Sequence, residues 1–207
     1  MTGQINRGEV LGDAVYELAR DEQYRNYVEV GTWNGQGSTV CFWHGLSCRD
    51  DNWRFISFEA NKDFHDTALN FFGDKVDAQF NLVHGRIVAI EDMWTLDCPH
   101  VKAHYENHVH KDICQRFFDG DLKAFKSCGN KAHLLNDMEI DVLLLDGGEF
   151  STFAEFKLLK PRSKIIILDD TRELKTKMAH KELLNDPEWD CVIDSNARNG
   201  FSIHRKK

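Results

Sequence analysis

The sequence predicts an α/β fold, doubly wound around a mostly parallel sheet of seven strands, and three observations carry that expectation. Two near-continuous aliphatic runs, DVLLL at 141–145 and KIIIL at 164–168, have the pattern of strands buried on both faces beneath helices. Helical periodicity fills the stretches between strands, so consecutive strands are joined by right-handed crossovers. A short strand at 27–30 runs directly into a glycine-rich turn and the start of a helix, which is the front edge of a nucleotide-type pocket.

The elements follow in order. Val10, Leu11, Ala14, Val15 and Leu18 recur at helical spacing ahead of the first strand. In that strand, Val28 and Val30 suit a sheet and Glu29 places one acid inside it. Gly31, Gly35 and Gly37 let backbone approach a ligand where a Cβ would collide, and Ser38–Thr39 offer N-cap chemistry to the next helix. RFISF at 54–58 is the second strand, followed by a helix at 64–72, and NLVH at 81–84 is the third. The fourth strand leads to a helix at 152–159 that stops before Pro161. The fifth leads to a helix at 174–184 that gives way at Asp186-Pro187. Segments 189–194 and 200–204 close the chain as an antiparallel hairpin around the loop at 196–199.

One segment breaks this economy. Roughly fifty residues separate strands three and four, far more than a crossover needs. Residues 95–135 therefore read as an insertion with helix of its own, within a single domain spanning 1–207. Such an insertion overhangs the strand ends, where it would cap a substrate. It is rich in His and Cys (Cys98, His100, His104, His108, His110, Cys114, Cys128, His133), and His104 and His108 are spaced to share a helix face. The spacing matches no zinc finger or ribbon, so solvated histidines on a polar helix are the expectation.

Bulk composition narrows the function classes. With 26 Lys plus Arg against 34 Asp plus Glu, the net charge of −8 argues against a broad nucleic-acid surface. The six cysteines form no C-x-x-C pair, as expected for free thiols in a reducing compartment. No apolar signal core opens the chain and no run approaches a membrane span, so the expected location is cytoplasmic, without a membrane partner.

In open α/β sheets, ligands sit beyond the carboxyl ends of the strands. The turn after strand one, Gly31-Thr32-Trp33-Asn34-Gly35-Gln36-Gly37-Ser38, matches neither a dinucleotide fingerprint nor a P-loop, since no Lys precedes Ser38. Strand two ends in Glu59, an acid suited to both hydroxyls of a ribose. Strand three ends in His84 followed by Gly85-Arg86-Ile87, where backbone and an apolar side chain would hold a base. Strand four delivers Asp146-Gly147-Gly148-Glu149 and strand five Asp169-Asp170, on neighbouring parallel strands. Converging acids repel unless something positive neutralises them, and a hard divalent cation with oxygen ligands does so.

The E-x-G-x-x-x-G-x-G turn resembles motif I of class I S-adenosylmethionine (SAM) methyltransferases. Together with Glu59, LLLDGGEFST and IIILDD it resembles the metal-dependent small-molecule O-methyltransferases, nearest the macrocin and novobiocin-pathway sugar-modifying group and more distantly catechol O-methyltransferase. The resemblance covers about residues 8–204, apart from the insertion. It implies a Rossmann-like methyltransferase fold whose last hairpin strand inserts antiparallel. SAM would lie on Glu29, Gly31, Thr32, Asn34, Gly35, Gly37, Ser38, Glu59, Gly85, Arg86, Ile87 and Asp146, with Glu29 placing the methionine amino end. A Mg or Mn ion would lie on Asp146, Asp169 and Asp170. Many relatives read D-G-D-H-S-Y after strand four, where this chain has D-G-G-E-F-S, so Glu149 or Asp146 would serve as the base.

The implied reaction moves the SAM methyl group to a hydroxyl of a small polar acceptor, a sugar or glycan, with Trp94 stacking on the sugar-like ring. No N-P-P-[YF] tetrapeptide follows strand four, which favours oxygen over an exocyclic nitrogen as acceptor. A cephalosporin-hydroxylase-like enzyme and a SAM-binding module without turnover are the rival readings. Oligomeric state stays open, as does membership in a longer glycan-modifying protein.

Overall fold

The computed structural model describes residues 5–106 and 113–207. Seven strands form one sheet in the order β3-β2-β1-β4-β5-β7-β6. They are β1 (Asn26–Val30), β2 (Arg54–Glu59), β3 (Phe80–His84), β4 (Ile140–Leu145), β5 (Ser163–Asp169), β6 (Trp189–Ser195) and β7 (Phe201–Lys206). The first five are parallel, and β7 inserts antiparallel between β5 and β6, as the sequence led one to expect. Strand order reverses at β1, so the crevice between the ends of β1 and β4 is the topological switch point.

Seven helices flank the sheet among the described residues: α1 (Val10–Arg20), α2 (Ser38–Leu46), α3 (Lys62–Phe72), α4 (Pro99–Tyr105), α5 (Cys114–Ser127), α6 (Thr152–Leu159) and α7 (Leu174–Asn185). Side-chain alternation along the strands divides the core into two layers. Tyr27, Phe55, Val142, Leu144, Ile165 and Ile167 face Leu11, Val15, Phe42, Leu46 and Phe72, from α1, α2 and α3. Val28, Val30, Ile56, Leu143, Leu145, Ile166 and Leu168 face Phe125, Phe156, Leu159 and Leu183, from α5, α6 and α7. Every residue of β4 is buried, which accounts for its unbroken aliphatic run.

The insertion contributes α4 and α5. His108 and His110 lie outside the described residues, and with them the helix face expected to be shared by His104 and His108; α4 spans Pro99–Tyr105. All six cysteines are unpaired. No described helix is long and apolar enough to cross a membrane. The sheet ends on β6, where the pairing with β7 is interrupted by a bulge between Cys191 and Ile193 and where Asp190 is exposed.

Candidate active site

A cavity of about 500 Å³ opens at the carboxyl ends of the parallel strands. Gly31 after β1, Glu59 at the end of β2, Gly85, Arg86 and Ile87 after β3, Asp146 after β4 and Asp170 after β5 all line it. The insertion supplies one wall, since Arg116, Phe117, Gly120, Asp121, Ala124 and Phe125 of α5 face the same space.

Gly31 is required by geometry. Its φ is +102°, and a Cβ there would lie 2.2 Å from the Asp146 carbonyl oxygen. Its N–H donates to the Phe58 carbonyl at 2.9 Å, and the Asp146 N–H donates to Val30 at 2.9 Å. The ends of β1, β2 and β4 are thus tied together at one point. Glu59 is held just as firmly: its two oxygens accept from the Trp33 N–H at 2.7 Å and the Asn61 N–H at 2.8 Å. Burial raises its pKa to about 7, against these two stabilising donors.

The other expected cofactor residues sit elsewhere. Thr32, Asn34, Gly35, Gly37 and Ser38 do not line the cavity, and neither does Glu29. Glu29 shares the strand face of Tyr27, which points into the α1–α2 layer. There it is fully buried and accepts from Ser38 at 2.5 Å, Thr39 at 2.7 Å and Ser57 at 2.5 Å. Its pKa rises to about 7 through burial, opposed by those hydroxyls. The expected N-cap role of Ser38–Thr39 is corrected for the same reason. Gly37 is the cap residue, without a side-chain bond, and both hydroxyls are spent on Glu29.

The three strand-end acids do converge. Asp146, Asp169 and Asp170 each place a carboxylate oxygen within 4.8 Å of the others. Asp170 has a left-handed φ of 57°, a region that Gly, Asn and Asp enter most readily, and it stands where the chain leaves β5. Two cations from the chain already meet these acids. The Lys175 ammonium, in the first turn of α7, bonds Asp146 and lies 2.7 Å from Asp170 Oδ2. The Arg198 guanidinium lies 2.9 Å from Asp169 Oδ2. Burial and the two neighbouring carboxylates push Asp169 up to about 7, and its Oδ1 has no hydrogen-bond partner among the described residues. A divalent ion would have to share these acids with Lys175, whose ammonium already meets Asp146 Oδ1 and Asp170 Oδ2.

Glu149 is turned away from the cavity. It accepts from the Leu174 N–H at 3.1 Å and the Tyr105 hydroxyl at 3.3 Å, beside His104 and Glu173. Of the two expected bases, Asp146 alone lines the cavity. Trp94 packs on Phe153, with ring centroids 5.1 Å apart, and borders a separate shallow hollow.

Sequence reasoning missed Asp121, Glu155, Lys175 and Arg198. Glu155 left a trace: Thr152, Glu155, Phe156 and Leu159 form the buried stripe of α6, so an acid occupies a core position. It is 2% exposed, borders the cavity, and its Oε2 makes no hydrogen bond among the described residues. Burial first, then the charge on Asp121, raises it to about 8, although the Ser151 and Thr152 hydroxyls favour the charged form. Thr152 donates instead to the Gly148 carbonyl at 2.7 Å. Lys175 also left a sign, since a cation in the first helical turn opposes the dipole unless acids receive it.

No family model matches the chain, and no curated protein does so either. Solved structures match at the level of the fold. An O-methyltransferase from Bacillus cereus in complex with S-adenosylhomocysteine (SAH) superposes with a TM-score of 0.63 at 13% identity, over 100% of this chain and 84% of that one. An SAH-bound methyltransferase from Podospora anserina gives 0.60 at 14% identity, over 95% and 77%. The SAM-bound O-methyltransferase of tomaymycin synthesis from Streptomyces achromogenes gives 0.57 at 14%, over 95% and 79%. The fold is therefore the Rossmann-like one of these methyltransferases.

Proposed function

We propose that the chain is a SAM-dependent O-methyltransferase acting on a hydroxyl of a small polar acceptor, a sugar or glycan being the first class to try. The observation that carries this reading is the meeting of Gly31, Glu59, Asp146 and Asp170, from four strand ends, in one cavity. SAM would lie over Gly31 with its ribose at Glu59 and its adenine toward Gly85, Arg86 and Ile87. The acceptor would enter from the side of Asp146, Asp170 and α5, with the insertion as its cap.

The sulfonium is a strong electrophile on its own, so the protein must supply an in-line oxygen and a destination for its proton. The carboxylates of Asp146 and Asp170 stand on the cavity wall and serve as that destination. The divalent ion implied by the sequence resemblance is not needed for this arrangement. Calorimetry with SAH tests cofactor binding, and incubation with SAM and a sugar panel, read by mass spectrometry, tests transfer. Failure of the folded protein to bind SAH overturns the proposal. Binding with no methyl gained by any hydroxyl compound points instead to a SAM-binding module without turnover.

A further inference from the structure

The geometry points to Lys175 as a resident cation that takes the place of a divalent metal among the strand-end acids and directs its remaining N–H toward the acceptor oxygen. Three facts carry this. The ammonium bridges Asp146 and Asp170, from two different strand ends, and its side chain is only 12% exposed. Lys175, Asp146 and Asp170 all line the cavity, so the bridge faces that space. The third acid, Asp169, has its own partner in Arg198, which leaves three negative groups facing two positive ones. A metal added to this cluster would meet two cations at close range and would compete with the ammonium already seated on Asp146 Oδ1 and Asp170 Oδ2.

An ammonium has three N–H donors, of which two are engaged by Asp146 and Asp170. The third, with no partner among the described residues, would receive an acceptor oxygen, fixing its direction and stabilising negative charge as its proton departs. In the transfer, the acceptor oxygen forms a bond to the methyl carbon while the carbon–sulfur bond breaks. The bonding pair moves to sulfur, leaving neutral SAH. The hydroxyl proton passes to the Asp170 carboxylate, and Lys175 stays protonated throughout. This transfer step rests on the methyltransferase reading; the occupancy of the cation position does not.

The test titrates Mn²⁺ alone into the full chain, followed by the electron paramagnetic resonance of free ion. Wild type is expected to bind no Mn²⁺ up to about 1 mM, whereas Lys175→Met is expected to gain at least roughly tenfold in affinity. The gain should vanish when Asp170→Asn is added. Micromolar binding by wild type that is lost in Asp170→Asn overturns the inference, as does a folded Lys175→Met that gains nothing. If Lys175→Met does not fold, the wild-type titration decides alone. A separate SAH titration in excess EDTA keeps the two readings apart. SAH bound without metal, alongside Mn²⁺ bound by wild type, would sink the resident cation and spare the methyltransferase.

Discussion

Gly148 and Asp121 are fitted to one another: a Cβ on Gly148 would lie 2.8 Å from Asp121 Oδ2, the oxygen that accepts from the Phe150 N–H at 3.0 Å. The strand-end loop thus gives up a side chain where α5 brings in a carboxylate. Burial raises Asp121 to about 6, against that backbone bond and the nearby charge of Lys175. This contact joins the inserted helix to the loop after β4, beside the packing of Phe118 on Phe150 and the Arg86 bond to the Phe125 carbonyl.

Gly148→Ala is expected to cost about 1–3 kcal/mol by forcing Asp121 from its backbone donor. Urea unfolding measures the loss. The same substitution in an Asp121→Ala background should cost less, because the clash has gone, and the non-additivity isolates the contact.

Glu29 predicts a purely structural phenotype. Glu29→Ala strands three buried hydroxyls, on Ser38, Thr39 and Ser57, and should destabilise the fold by about 2–4 kcal/mol. Ser57→Ala should cost about 1 kcal/mol. Thermal melts check both, and SAH affinity of the folded Ser57→Ala protein should stay near that of wild type.

Glu59→Gln should weaken SAH binding at least roughly tenfold, about 1.4 kcal/mol. The amide offers one acceptor oxygen where two backbone donors, Trp33 N–H and Asn61 N–H, now require two. Calorimetry measures the change, and unaltered affinity would remove Glu59 from the cofactor site.

Glu155 ties stability to pH. Its folded pKa of about 8 lies above its ordinary 4.5, so the neutral acid is the form the fold favours. Its contribution is complete below about pH 4.5 and is lost as pH rises through about 8. Glu155→Gln should therefore gain stability relative to wild type across that window, on the order of 4 kcal/mol at most. Unfolding both proteins in urea at pH 5 and pH 9 gives the difference; a gap that does not widen with pH would refute the assignment.

The strands were legible because each carries its own signal: β4 and β5 hold the aliphatic runs VLLL and IIIL, and β1 is cut off by glycines. The acids at 146, 169 and 170 were legible because parallel strands bring their ends to one edge. Lys175 and Asp121 were not, since each reaches the site from a helix whose rotation and docking depend on packing the sequence does not display. Glu29 misled for an opposite reason. Its position in the chain matched a ligand-binding motif, yet strand parity with Tyr27 turns it into the core, toward α2.

The irregularity between Cys191 and Ile193 leaves the β6 margin of the sheet out of step with any straight peptide laid along it. An incoming segment would lose its alternation of donors and acceptors after a few residues and would meet the carboxylate of Asp190. The molecule thereby keeps a poor template for fibre growth at the end of an otherwise hydrophobic sheet.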